Sequence, residues 1–291
     1  MSTTLRKVLR YGGWAILGLL LLVLIGASSL WVAGGRRIGM IHEPTAHPVA
    51  VATDPAEIAE GGRLAGYWGC VGCHDENAGG SVFFTTPFGD RLVAANLTRV
   101  VHEYTPEELE RAIRHGVRRD GSSLVVMPSS MFADISDEDL GRVIGYLRSL
   151  PVVPDSLPPT RLGLLARFFI VTRDDALEAP RIDPGAAHGV SPDSLTPASG
   201  RADTLALGRY LARTGCPECH GPDLRGFEED TPDLRIAAAY APAAFLQFFR
   251  DGIALGGREL GLMSEIARYR GGRLTDPEVA ALHAYLSTLA D

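Results

Sequence analysis

Two short stretches decide how this chain reads: Cys70-Val71-Gly72-Cys73-His74 and Cys216-Pro217-Glu218-Cys219-His220. C-x-x-C-H is the attachment signature of c-type haem. Two intervening residues bring both sulfurs to one edge of a porphyrin, where the thiols add across its vinyl groups. The histidine that follows then lies under the iron and supplies the proximal nitrogen. The chain has four cysteines, and the two motifs use all of them. None remains for a disulfide, a third haem or a Cys axial ligand.

Other uses of paired cysteines fit less well. A Cys₄ zinc site usually places its two pairs about 15–20 residues apart, whereas these pairs stand at 70/73 and 216/219. A redox dithiol needs no histidine directly after its second cysteine. The expected cofactors are therefore two covalently bound haem c groups. Cys70, Cys73, Cys216 and Cys219 hold them, and His74 and His220 ligate iron.

Working outward, an internal repeat surrounds the motifs. Gly62-Arg63-Leu64 begins eight residues before Cys70, and Gly208-Arg209-Tyr210 begins eight before Cys216. Arg114-His115-Gly116 matches Arg250-Asp251-Gly252, and Tyr146-Leu147 matches Tyr285-Leu286. Both units read as helical. Thr105-Pro106-Glu107-Glu108 is a capping box with proline at the first helical position, and it puts Leu109, Ala112 and Ile113 on one face. Ser136 opens a helix with Leu140, Val143, Ile144 and Leu147 at i, i+3, i+4 and i+7. Thr275-Asp276-Pro277-Glu278 repeats that start before Val279, Leu282, Leu286 and Leu289. No convincing period-two strand is present.

Residues 11–35 carry no charge and are strongly apolar from Trp14 to Ile25. A helix of that length spans about 37 Å, enough for a bilayer core of about 30 Å. A cleaved signal peptide competes, with Arg6, Lys7 and Arg10 as its basic region. The length of the uncharged stretch and the lack of an A-x-A site favour a retained anchor. Haem c is attached outside the cytoplasm, which places the N-terminus inside and the haem units outside. The expected order is anchor 11–35, tether 36–53, first unit 54–152, Pro/Gly-rich linker 153–200 and second unit 201–291. Within the linker, Arg161 to Val171 is apolar and too short to span. It reads either as packing on the haem units or as a contact with membrane or a partner. The net charge of −7 argues against nucleic acid as a partner.

A second axial ligand must come from another part of each unit. Met127, on the Pro-stiffened stretch Val125-Val126-Met127-Pro128, leads in the first unit, with Met131 as the alternative. His115 lies in an expected helix and reads as a surface residue. Met263 is the only methionine of the second unit, on a stretch without a following proline; His283 is a poor candidate at mid-helix. His/Met ligation fills both axial positions and raises the reduction potential. That makes electron transfer the expected function, with no catalytic residue.

Phe88-Gly89, Asn96-Leu97-Thr98, Tyr104 to Leu109, Arg114 to Gly121, Met127-Pro128, Ser136 to Leu140 and Cys219 to Gly226 together resemble the cytochrome c subunits of membrane-bound alcohol and gluconate dehydrogenases. The resemblance covers most of residues 54–291. It implies an all-α fold, with two tandem class I-like cytochrome c domains after an N-terminal transmembrane helix. It also implies His/Met ligation by His74 with Met127 and by His220 with Met263. Taken with the two motifs and the apolar N-terminal segment, the expected protein is a membrane-anchored dihaem cytochrome on the periplasmic face of a bacterial cytoplasmic membrane, part of a respiratory chain. Its expected role is to relay electrons from a dehydrogenase or quinol-oxidising complex to a terminal acceptor. Those relatives usually carry three haems; this chain has motifs for two. A dihaem enzyme of peroxidase type, or a fixed haem subunit of a terminal oxidase, is the alternative.

Overall fold

In a computed structural model, residues 3–154, 156–183, 201–227 and 231–290 are described. Helix α1 (Thr3–Ile38) is a long apolar rod. The first unit follows as α2 (Pro55–Tyr67), α3 (Cys70–Cys73), the strands β1 (Ser81–Thr85) and β2 (Arg91–Ala94), α4 (Leu97–Glu103), α5 (Pro106–His115), α6 (Ser129–Phe132) and α7 (Asp137–Ser149). Helix α8 (Leu164–Thr172) lies in the connection. The second unit comprises α9 (Arg201–Gly215), α10 (Pro217–His220), α11 (Pro242–Asp251), β3 (Ile253–Ala254), β4 (Arg258–Glu259), α12 (Leu262–Tyr269) and α13 (Asp276–Thr288). The fold is all-α apart from two small antiparallel hairpins.

The same scaffold is built twice. In each unit the first helix packs on the last, α2 on α7 and α9 on α13. A glycine stands where they cross. A Cβ on Gly61 would lie 2.0 Å from the Arg142 carbonyl oxygen, and one on Gly208 would lie 2.0 Å from that of Ala281. No side chain fits, so the backbones meet directly. In the first unit Gly62, beside the crossing, faces the Tyr146 ring, and in the second Gly208 itself also faces the Tyr285 side chain, so a glycine and a tyrosine recur at both crossings.

The repeated arginine is a strut. Arg114, at the end of α5, is fully buried. It donates to the Ile135 carbonyl and pairs with Asp137 at 2.7 Å. Arg250, at the end of α11, donates to the Leu274 carbonyl at 2.8 Å and to Asp276 at 2.6 Å. In both units the guanidinium thus ties an inner helix to the N-terminus of the last one, where the carboxylate also meets the positive end of the helix dipole. Gly116 and Gly252, both left-handed (φ 64° and 74°), terminate the two inner helices.

The expected caps form. Thr105 and Thr275 make full capping boxes with Glu108 and Glu278, and Ser136 caps α7. The expected apolar stripes of α7 and α13 are buried at Leu140, Val143, Ile144 and Leu147 and at Val279, Leu282 and Leu286. Two expectations fail. The chain does form strands: β1 pairs with β2 through a bulge between Val82 and Phe84. Both strands lie at the surface without a buried face, so no alternation marked them in the sequence. His115 is not a surface residue; it is 2% exposed. The connecting segment covers that end of α5: Ser130 N donates to Glu178, and Glu178 N donates to the Leu124 carbonyl.

Residues 39–53 run along the first unit. His42 N donates to the Gly121 carbonyl and Ala52 N to that of Gly141, and Val49 is buried. The apolar connection is fixed to the β1–β2 hairpin, where Arg91 and Arg161 exchange backbone hydrogen bonds and Asp90 accepts from Gly163 N and Ala166 N. Helix α8 then lies against the C-terminal end of α1. The Arg167 guanidinium stacks 4.0 Å over the Trp31 ring and donates to the Trp31 carbonyl, and a Cβ on Gly34 would meet Arg167 Cβ at 2.7 Å. The part of the expected linker at 184–200 lies outside the described residues.

Gly208→Ala should lower stability by about 1–3 kcal/mol through overpacking of the α9–α13 crossing. Gly272→Ala, which meets nothing within 4 Å, is the matched control; denaturant unfolding of both variants checks this.

Candidate haem-attachment sites

Each motif is a single helical turn set off by backbone that few residues adopt. Gly69 (φ 76°) enters α3, and Asp75 (φ 67°) leaves it after His74. In the second unit Cys216 and Pro217 open α10, and Gly221 (φ 74°) closes it after His220. The compact turn places Cys and His side chains of one motif within a few residues of backbone, as attachment at a porphyrin edge with proximal ligation requires.

The histidines are held alike. His74 Nδ1 donates to the Ala95 carbonyl at 2.7 Å, and His220 Nδ1 donates to the Pro232 carbonyl at 2.9 Å. A carbonyl only accepts, so Nδ1 carries the proton and the lone pair sits on Nε2. This is the second-shell arrangement that orients a metal-binding imidazole. Burial pulls both imidazoles below their ordinary pKa, partly offset by the same carbonyl bonds. Both are therefore neutral at pH 7, the form that binds iron.

None of the four cysteines is in a disulfide. Burial pushes Cys70 up to about 11 and Cys216 up to about 12, with the positive charge of Arg270 pulling each partway back. Burial, then the carboxylate of Glu218, raises Cys73 and Cys219, again opposed by Arg270. Such thiols are not the activated thiolates of a dithiol redox centre. Among the described residues no three His, Cys, Asp or Glu side chains converge as a metal-ion site. The thiol and imidazole set fits haem c. Two buried donors beside the motifs, Trp68 Nε1 and Arg270 Nη2, have no acceptor among the described residues; a bound group bearing carboxylates would satisfy donors of this kind.

The methionines separate by burial. Met131, in α6, is 3% exposed and part of the core. Met127 is half-buried at the core's edge, on an irregular stretch where Val126 takes φ 71°. Met263 is also half-buried at the edge of the core, but it sits in the first turn of α12 rather than on a loose loop. Ser264 ties that turn down: its Oγ accepts from Leu260 N and donates to the Gly252 carbonyl. His283 is already engaged, its Nε2 directed at the Tyr240 and Ala237 carbonyls.

Sequence reasoning missed the residues that join the two motifs. Arg270 Nε donates to the Tyr67 carbonyl at 2.8 Å, and Nη1 pairs with Glu218 at 2.9 Å. Tyr67 Oη donates to the Leu211 carbonyl at 2.8 Å. Glu218 was visible inside its motif, but nothing local marked Arg270 or Tyr67.

Comparison with known proteins agrees with the geometry. Residues 56–147 match the family model "Cytochrome C oxidase, cbb3-type, subunit III", and residues 205–290 match the model "Cytochrome c". An alcohol dehydrogenase (quinone) cytochrome c subunit from Gluconacetobacter polyoxogenes is 31% identical over 189 residues, covering 60% of this chain and 37% of that protein. A gluconate 2-dehydrogenase cytochrome c subunit from Pantoea cypripedii is 29% identical over 285 residues, covering 82% of this chain and 62% of the relative. A fructose dehydrogenase cytochrome subunit from Gluconobacter japonicus is 25% identical over 279 residues, 85% of this chain and 55% of its own length. The matches thus span between about a third and two thirds of these relatives. Both units are cytochrome c domains. The chain is a two-domain cytochrome c, homologous to the cytochrome c subunits of alcohol, gluconate and fructose dehydrogenases.

Truncating Met131, a core residue, to alanine should cost about 2–5 kcal/mol and leave the iron ligand field unchanged. Unfolding curves together with the visible spectrum of the folded protein check both halves.

Proposed function

We propose that this protein is a membrane-anchored dihaem c-type cytochrome that relays electrons outside the cytoplasm. Its donor is a dehydrogenase or a quinol-oxidising complex, and its acceptor is a terminal oxidase or comparable partner. The observation that carries the proposal is the duplicated site. Each unit pairs two cysteines outside any disulfide with a neutral, carbonyl-oriented histidine and places a half-buried methionine at the edge of its core. In this reading Cys70, Cys73, Cys216 and Cys219 hold haem covalently. His74 with Met127, and His220 with Met263, would ligate iron. Haem supplies a one-electron couple at iron; the protein chooses the ligands, orients the imidazoles and excludes water from the site. With both axial positions filled no position is open to substrate, which favours transfer over catalysis.

The anchor reading draws on α1 and α8 together. Helix α1 is long and apolar enough to cross a membrane, a test that a signal sequence also passes. Its last turns, however, are packed on α8 through Gly34, Trp31 and Arg167, and Arg37 pairs with Asp174 and donates to the Val171 carbonyl. Removing α1 would strip these contacts. Retention also places the exposed Leu164, Phe168 and Phe169 of α8 beside the point where α1 leaves the bilayer, suited to the interfacial layer. The relatives' names supply the dehydrogenase as the preferred donor, and a periplasmic location on a bacterial cytoplasmic membrane follows from haem c attachment outside the cytoplasm.

Carbon monoxide tests the function and the ligands in one experiment. The reduced protein should show no CO-induced shift of its Soret band, whereas Met127→Ala should gain CO binding at a single haem. CO binding by the unaltered protein would mean an open iron and would favour the peroxidase-type alternative. If Met131→Ala, not Met127→Ala, opened the site, the first ligand would be Met131.

A further inference from the structure

Resting on the two-haem reading, we propose that Arg270 is a positioning residue that couples the two haem sites, locking the attachment motifs together and setting the reduction potential of both. The motifs are far apart in the chain but meet at one buried guanidinium. Arg270 is 8% exposed. On one side its Nε bonds the Tyr67 carbonyl, three residues before Cys70, and a Cβ on Gly69 would stand 3.4 Å from its Cζ. On the other side its Nη1 pairs with Glu218, which lies between Cys216 and Cys219. Its Nη2 is buried without an acceptor among the described residues.

The surrounding contacts make this junction stiff. Tyr67 Oη reaches the Leu211 carbonyl, and a Cβ on Gly215, the residue before Cys216, would lie 2.1 Å from that hydroxyl oxygen. Arg63 of α2 forms a two-pronged pair with Glu278 of α13, both bonds 2.8 Å, and also donates to the Arg273 carbonyl. Planar two-pronged pairing of this kind fixes geometry as well as charge. The two attachment segments therefore cannot shift relative to each other without breaking buried bonds, as a short and constant transfer distance requires.

The charge has a definite sign of effect. Oxidised haem iron carries one more positive charge than reduced iron. A fixed guanidinium charge nearby, in a poorly polarisable interior, disfavours the oxidised state and raises the potential. Arg270 pairs with Glu218 inside the second motif and bonds the Tyr67 carbonyl just before the first, so it acts on both haems. The Glu218 carboxylate works in the opposite direction and partly cancels it.

The test is a spectroelectrochemical titration of the full-length, detergent-solubilised protein, after its haem content has been counted. Arg270→Gln should lower both midpoint potentials, Glu218→Gln should raise both, and Arg270→Lys should stay nearer the starting values. Glu218→Gln leaves Arg270 in place, so it tests the proposal even where Arg270→Gln fails to mature. A purely structural role would reduce stability and leave both midpoints unmoved. With two haems present, unmoved midpoints, or movement of only one, overturns the coupling alone. Fewer than two haems in the unaltered protein overturns the two-haem reading beneath it.

Discussion

Each cytochrome unit depends on backbone contact between its first and last helices. Gly61 and Gly208 permit the approach, because a single methyl group there would collide with a carbonyl oxygen of the partner helix. Once that crossing is set, the arginine struts Arg114 and Arg250 fix the inner helix of each unit against the N-terminus of the last. The first helix then delivers the chain into the attachment turn that follows it. The position of every thiol and imidazole descends from this crossing. A bulkier residue would have to push the helices apart, and interiors packed at crystal-like density absorb such shifts poorly.

What was legible in the sequence was what is decided locally. The attachment motifs, the capping boxes at Thr105 and Thr275 and the apolar stripes of α7 and α13 each depend on residues within two turns of one another. The repeat was legible because both units solve the same packing problem with the same residues, Gly–Tyr at the crossing and Arg–Gly at the strut. The strands escaped notice because β1 and β2 bury no alternating face. His115 was misplaced because the chain packed at that end of α5 comes from Glu178 and Ala179, which crowd the adjacent Gly116 from more than sixty residues later in the chain. Arg270 looked like any helix-tail arginine until the second unit was docked on the first.

That docking bears most on function. An isolated cytochrome domain exchanges electrons by collision, at a rate limited by encounter. In the proposed relay, two domains joined through Tyr67, Arg270 and Glu218 would turn one of those encounters into an internal step over a fixed path. The first domain holds the α8 connection through Asp90, and α8 packs on α1, so the first domain stands nearest the proposed membrane surface. In that proposal the first unit is held close to the membrane and the second extends the path away from it.

The claim on which all of this rests is that each attachment motif carries one covalent haem. Intact-mass spectrometry of the protein purified from membranes, under denaturing acid conditions that strip non-covalent haem, measures this directly. The account predicts a single species heavier than the polypeptide by two haem groups, falling to one when Cys70 and Cys73, or Cys216 and Cys219, are replaced by alanine. A polypeptide mass with one haem or none would contradict it.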